Sequence, residues 1–320
     1  ATDDKKCEPS PFWHFGCAIL AAINACVLIA ALIVNQWWII NYSGSFRLNN
    51  RLLDVDFVAT VEVGHTKLCV ERDLLLGHFA VLDQHLDRLY EGAAAIDLDI
   101  GMDRFEVISA VVETQMANSM QTDVHCRLMI TRGVKVLPFQ HPSLSRSGPT
   151  IVIIMEHSKP KLPRPITLAT VPHQRGLPMT QDPKLNSHSK LNCILACIAA
   201  EKAGADEALM LDVHGFVNTT NACNFFIVRK GAVWTSTGDY CMNGITRQKV
   251  IDLCRDNQIP VFERNFSLVD TYGADEAFLT GTFGAQTPVS SIDGRQIGTG
   301  EMGEVTKRLR DLYKAVIGTL

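Results

Sequence analysis

Between Leu209 and Ile297 the chain turns back on itself three times, which limits the fold more than any other feature. Val289–Ile292 and Arg295–Ile297 flank Asp293-Gly294, a dipeptide that fits the two positive-φ positions of a tight hairpin. Leu209–Asp212 and Phe216–Asn218 flank Val-His-Gly, and Phe225–Val228 and Ala232–Thr235 flank Arg-Lys-Gly. Leu191–Ala203 carries a helical apolar face and stops at Gly204, and Thr246–Gln258 predicts a second helix between the hairpins. Ala277–Leu279 predicts a further strand. This mixture specifies an α+β fold with a meandering sheet, not a regular βαβ array. No G-x-G-x-x-G follows a strand, so a dinucleotide site has no support.

The first half is sparser. Trp37–Phe46 (WWIINYSGSF) predicts a strand, a Gly-centred turn and a second strand. Leu86, Leu89, Tyr90 and Ala93–Ala95 recur at helical spacing within Phe79–Ile96. Asp103, with Glu106 three residues on, predicts a capped helix from Arg104 to about Met116. Val124–Gly133 and Thr150–Met155 predict strands, the second apolar enough to be buried. HSKPKLPRP (157–165) has three prolines and no periodicity, and serves as the expected linker. The expected domains are therefore an apolar extension (1–36), a small lobe (37–156), this linker (157–165) and a large lobe (166–320). Phe15–Val34 is almost continuously apolar and, as a helix, would match the thickness of a bilayer. It leaves three readings open: a membrane anchor, a cleaved targeting segment, or an extension packed on the domain.

Composition excludes several classes. With 20% charged residues and net charge −4, and no Lys/Arg run longer than two, the chain lacks the basic face that nucleic acid requires. Its ten cysteines form no C-x-x-C pair, which points to reduced thiols in a cytoplasmic catalytic domain, with no metal site.

Two segments gather donors suited to an anion. Gly244-Ile245-Thr246 opens a helix, where free N–H groups and the positive end of the dipole converge beside a hydroxyl. Thr280-Gly281-Thr282 follows a strand and turns. These motifs, with GADEALMLDVHGFVNTTNACNFFIV, GAVWTSTGDYCMNGITRQKVIDL and YGADEAFLTGTFGAQTPVSSIDGRQIG, resemble the class IV aminotransferases. Those are fold-type IV pyridoxal-phosphate enzymes that include branched-chain and D-amino-acid aminotransferases. The resemblance is ordered from about Asp182 to Gly298, and reaches back to LDQHLDRLYEGAAAIDL (82–98) and RLMITRG (127–133).

The resemblance implies a two-lobed fold, a homodimer and pyridoxal 5'-phosphate as cofactor. It places the cofactor phosphate on Ile245, Thr246 and Thr282, with Arg72 as the matching early Arg, although the motif ahead of Arg72 is degraded. Two slots depart from the family pattern. The carboxylate that meets the pyridine nitrogen falls on Thr219, a weaker partner for a protonated ring. The Schiff-base lysine falls on Asn186, while the family Tyr slot falls on Lys190, four residues on. Lys190 is the first candidate for the displaced lysine and Lys184 the second; a third reading leaves both as surface lysines. Asp182 and Asn221 are expected as supporting polar groups, and His85 as structural. The apolar Phe216, Phe225 and Phe283 suit either a substrate pocket or core. The expected reaction moves an amino group from a branched-chain or other aliphatic amino acid to a 2-oxo acid. A lyase or amine transaminase of the same fold, or a non-catalytic binding protein, is the alternative.

Overall fold

The computed structural model describes residues 38–48, 51–61, 68–70, 81–120, 123–158, 163–282 and 284–318, the first three ranges as backbone only. The apolar run 15–34, Arg72 and Phe283 lie outside the described residues. Among the described residues no helix is long and apolar enough to cross a membrane.

Strands β1 (Trp38–Leu48), β2 (Arg51–Val61) and β3 (Leu68–Val70) make an antiparallel sheet in a compact unit of their own. Here the sequence reading needs correction. Gly44 is no turn; it pairs with Val55 in the middle of one continuous strand. The flanking β-formers extend through a single glycine, which weakens a strand without ending it.

The second unit begins at Val81. Helices α1 (Leu82–Ala95) and α2 (Arg104–Ala117) form as expected, α2 with a complete capping box between Asp103 and Glu106. Strands β4 (Val124–Thr131) and β5 (Thr150–His157) pair only with each other. β5 is mostly half-exposed rather than buried, because a two-stranded ribbon has no second sheet to lie against.

The remaining elements are β6 (Ile166–Thr170), α3 (Pro178–Gln181), α4 (Leu191–Lys202), β7 (Glu207–Leu211), β8 (Val217–Thr220), β9 (Asn224–Arg229) and β10 (Ala232–Thr235). They continue with α5 (Ile245–Asp256), β11 (Val261–Glu263), α6 (Leu268–Tyr272), β12 (Glu276–Gly281), β13 (Ala285–Ile292), β14 (Arg295–Gln296) and α7 (Glu304–Gly318). All three hairpins form. Lys230-Gly231 and Asp293-Gly294 both take positive φ, the backbone their turns require.

The sheet is more than a meander. Its path runs β11-β10-β9-β12-β13-β6-β7-β8, and β8 returns to β9 through Thr219 and Asn224, closing a ring of six strands. β6 is parallel to both of its neighbours. One apolar cluster, with Leu168, Leu209, Phe225, Ile227 and Leu279, draws on strands around this ring. Two further clusters pack helices against the strands: α5 and α7 over Phe226 and Phe278, and α4 over Ala208 and Met210. Phe225 is thus wholly buried core, not pocket lining.

Candidate active site

A cavity of about 420 Å³ opens where the ring closes. One wall is the 219–224 tip joining β8 to β9, and the other is the irregular segment from Arg175 to Cys193 that leads into α4. Hydrogen bonds back onto the tip's own backbone fix its shape. Thr219 and Thr220 both donate to the Cys223 carbonyl, at 2.6 and 3.0 Å, and the Cys223 N–H returns to Thr220 Oγ1 at 2.8 Å. Burial pushes the Cys223 thiol up to about 12 and, with the nearby Glu207, keeps it a neutral part of the wall.

Lys190 stands on the cavity wall as the N-cap of α4. Its Nζ donates to Asn186 Oδ1 at 3.1 Å, so the residues in the family's lysine and tyrosine slots touch each other. Partial desolvation holds its pKa below the ordinary lysine value; Arg175 and Arg88 push the same way and Cys193 opposes them. Thr219 lines the same cavity, together with Asp182 and Asn221. Lys184 does not. It lines a smaller neighbouring cavity of about 250 Å³ with Arg88, Glu91, Asn243 and Ile245.

The expected phosphate residues do not line the larger cavity: Ile245 lines the smaller one, beside Lys184, and Thr246 and Thr282 line neither. Gly244 caps α5 without any side-chain hydrogen bond, which leaves the first-turn N–H groups free of a protein cap. A Cβ on Gly244 would sit 2.3 Å from Asn224 Oδ1, so only glycine fits at this junction. Asn224 is itself pinned by donating to the Met242 carbonyl at 2.9 Å. Thr246 is buried. Thr282 is exposed just beyond β12, which runs through Gly281, further than Ala277–Leu279 predicted.

Two wall residues were not anticipated. Arg175 directs Nη1 to Cys193 Sγ at 3.0 Å and Nε to the Tyr240 carbonyl at 3.4 Å, and has no ion pair among the described residues. Asn224 ties the tip to the start of α5. Arg175 lies in a Pro-rich stretch without periodicity, and Asn224 carried a signal only as the last polar residue of NACNFF. His85 is half-buried, pushed down to about 4 by desolvation and by Arg88, and so is a neutral structural group. His188 is exposed and lines neither cavity. Among the described residues no cluster of His, Cys, Asp and Glu could hold a metal ion.

Comparison with known proteins bears on this geometry. A profile of the family described as Amino-transferase class IV matches residues 74–292. Branched-chain-amino-acid aminotransferase-like protein 2 of Arabidopsis thaliana is 40% identical over 73% of this chain, which spans only 42% of that relative's length. The putative branched-chain-amino-acid aminotransferase of Methanocaldococcus jannaschii is 38% identical over 74% of this chain and 82% of its own. The crystal structure of a T.th. branched-chain amino acid aminotransferase with pyridoxamine 5'-phosphate matches with a TM-score of 0.69 at 31% identity, covering 74% of this chain and 79% of that one.

Proposed function

Because the chain belongs to the class IV amino-transferase family, we propose that it is a pyridoxal-phosphate aminotransferase acting on aliphatic amino acids, with Lys190 as its reactive amine. The observation that carries this reading is the pairing, in one cavity, of a lysine of lowered pKa with the tip that bears Thr219. Two donors on the cavity wall suit the cofactor, the Lys190 amine and the Arg175 guanidinium; the uncapped start of α5, where a Cβ on Gly244 would meet Asn224, borders the smaller cavity instead. The chemistry supplied by the bound cofactor is an aldehyde that takes up amines and a ring that draws electrons from the adjoining carbon.

Lys190 would hold the cofactor through its Nζ, and the same amine, once free, would serve as the base that takes the substrate Cα proton. Asn186 Oδ1 orients Nζ, and the lowered pKa keeps more of the amine neutral and able to accept. Ile245 and Thr246 offer N–H donors to the phosphate, with Thr282 contributing from the next turn. Arg72, outside the described residues, is the remaining phosphate group implied by resemblance. Thr219 offers the ring nitrogen a hydroxyl where the family pattern has a carboxylate. That single residue favours a second reading, a lyase or amine transaminase with less demanding carbanion chemistry.

Leu191, Ile194, Leu195 and Ile198 expose large apolar side chains along α4. That face, next to the cavity, supports pairing of two copies into a homodimer. Leucine and 2-oxoglutarate given to the cofactor-loaded chain should yield glutamate and a branched 2-oxo acid. If glutamate does not form while the cofactor's visible absorbance band, at roughly 410–430 nm, is present, aminotransfer on this substrate pair fails.

A further inference from the structure

The tip that joins β8 to β9 puts a hydroxyl on the cavity wall, and the direction of its hydrogen bond limits what that hydroxyl can do. Thr219 is buried and lines the same cavity as Lys190. Its Oγ1 lies 2.6 Å from the Cys223 carbonyl oxygen. A carbonyl has no proton to give, so the hydroxyl is the donor, and a hydroxyl has one proton only. The same carbonyl takes the Thr220 N–H at 2.9 Å and the Thr220 hydroxyl at 3.0 Å, so the bond from Thr219 is the shortest of the three. Any group that reaches Thr219 Oγ1 from the cavity meets lone pairs alone and must itself donate.

The rest of the tip holds this arrangement. Thr220 Oγ1 accepts the Cys223 N–H at 2.8 Å, and Asn221 Oδ1 accepts the Ala208 N–H at 2.8 Å. Thr219 and Asn224 are the pair that closes the strand ring, so both ends of the tip are anchored in the sheet. A hydroxyl that already donates is also the better acceptor, because each bond polarises the next. No carboxylate of the tip takes the place of the one in the family pattern. Among the described residues, the titratable groups lining the cavity are Arg175, Asp182, Lys190, Cys193 and Cys223. Asp182 belongs to the other wall and accepts the Lys184 N–H at 2.9 Å. Glu207 is close enough to Cys223 to help push its thiol up, but does not line the cavity.

We propose that Thr219, its own proton committed to the Cys223 carbonyl, is an obligate acceptor that holds the cofactor's ring nitrogen in the protonated form. This rests on the reading of pyridoxal phosphate as the cofactor and of Thr219 as the residue in the ring-nitrogen slot. An unprotonated pyridine nitrogen would set its lone pair against those of Thr219, whereas the protonated nitrogen gives a charge-assisted hydrogen bond. A bond made only to the charged form favours that form, on the order of tenfold to a hundredfold for one such bond. The ring then keeps its pull on electrons without a carboxylate beside it.

The test loads the full-length chain with pyridoxal 5'-phosphate isotope-labelled at the ring nitrogen. The NMR shift of that nitrogen moves far upfield on protonation. It is read at a pH at which the cofactor joined to a simple amine in solution has lost the ring proton. In wild type the signal should lie at the protonated position. Thr219→Val, or Thr219→Ala if the Val variant does not fold, should move it downfield to the unprotonated position. Thr219→Ser, which keeps the hydroxyl, should leave it where wild type has it. An unprotonated signal in wild type or in Thr219→Ser, or a protonated one in the variant without a hydroxyl, would overturn the proposal. A wild-type chain that took up no cofactor, and so showed no visible absorbance band, would instead overturn the cofactor reading, and this inference with it.

Discussion

The two regions assigned to the proposed site, a lysine wall and an anion wall, are built in opposite ways. The lysine wall, residues 175–193, is mostly irregular and exposed, and is held by local bonds such as Lys190 to Asn186 and Gln181 to the Ser189 carbonyl. The anion wall, the start of α5 and the residue just beyond β12, lies off the cavity that Lys190 lines and is backed by buried strands and by α7. Loops tolerate relocation of a functional group because few packing contacts depend on any one residue. The first wall can therefore accommodate a displaced lysine, whereas the second keeps its Gly-Ile-Thr motif. The contrast predicts that changes on the lysine wall alter chemistry with little loss of stability, and changes on the anion wall alter both.

Lys190→Ala should produce the largest effect. Turnover falls by about 10²–10⁴-fold, the scale of a positioned proton carrier, while the melting point stays near wild type. A comparable drop in melting point would erase the contrast. Gly244→Ala should strike the other wall. Its methyl group meets Asn224 Oδ1, so the variant should lose about 1–3 kcal/mol by urea unfolding, as overpacking does, and bind cofactor more weakly. Thr219→Glu puts a carboxylate in the slot where the family pattern has one. It should raise leucine turnover about tenfold, in line with a charge-assisted hydrogen bond, and no gain would show that the tip does not meet the ring.

The pH dependence of stability gives a subtler test. The folded pKa of Lys190 lies below its unfolded value, so between the two the unfolded chain binds more protons and stability rises with pH. Outside that window the lysine contributes no slope. Lys190→Met should flatten the rise seen in urea midpoints of wild type. The smallest effect belongs to Gln286, wholly buried and, among the described residues, with neither amide atom partnered, opposite Thr280, whose hydroxyl is likewise unpartnered there. Gln286→Leu should stabilise by about 1 kcal/mol, because it removes an unmet desolvation cost.

Legibility follows the range of the interactions. Local signals are legible: the capping box at Asp103, the Asp293-Gly294 turn, and the stop of α4 near Gly204. Long-range pairing is not. The ring closes through one residue pair, Thr219 with Asn224, and β6 enters it in parallel, and neither leaves a trace in local periodicity. β5 misleads for a related reason: its apolar run marks a strand, but burial depends on what packs against it. Arg175 and Asn224 act through partners distant in sequence, so residue type alone could not select them.

The identity of the amine that holds the cofactor decides between these readings. Borohydride reduction of the cofactor-loaded chain, followed by peptide mapping, should place the pyridoxyl tag on Lys190. A tag on Lys184, or on no residue between 184 and 190, would contradict it.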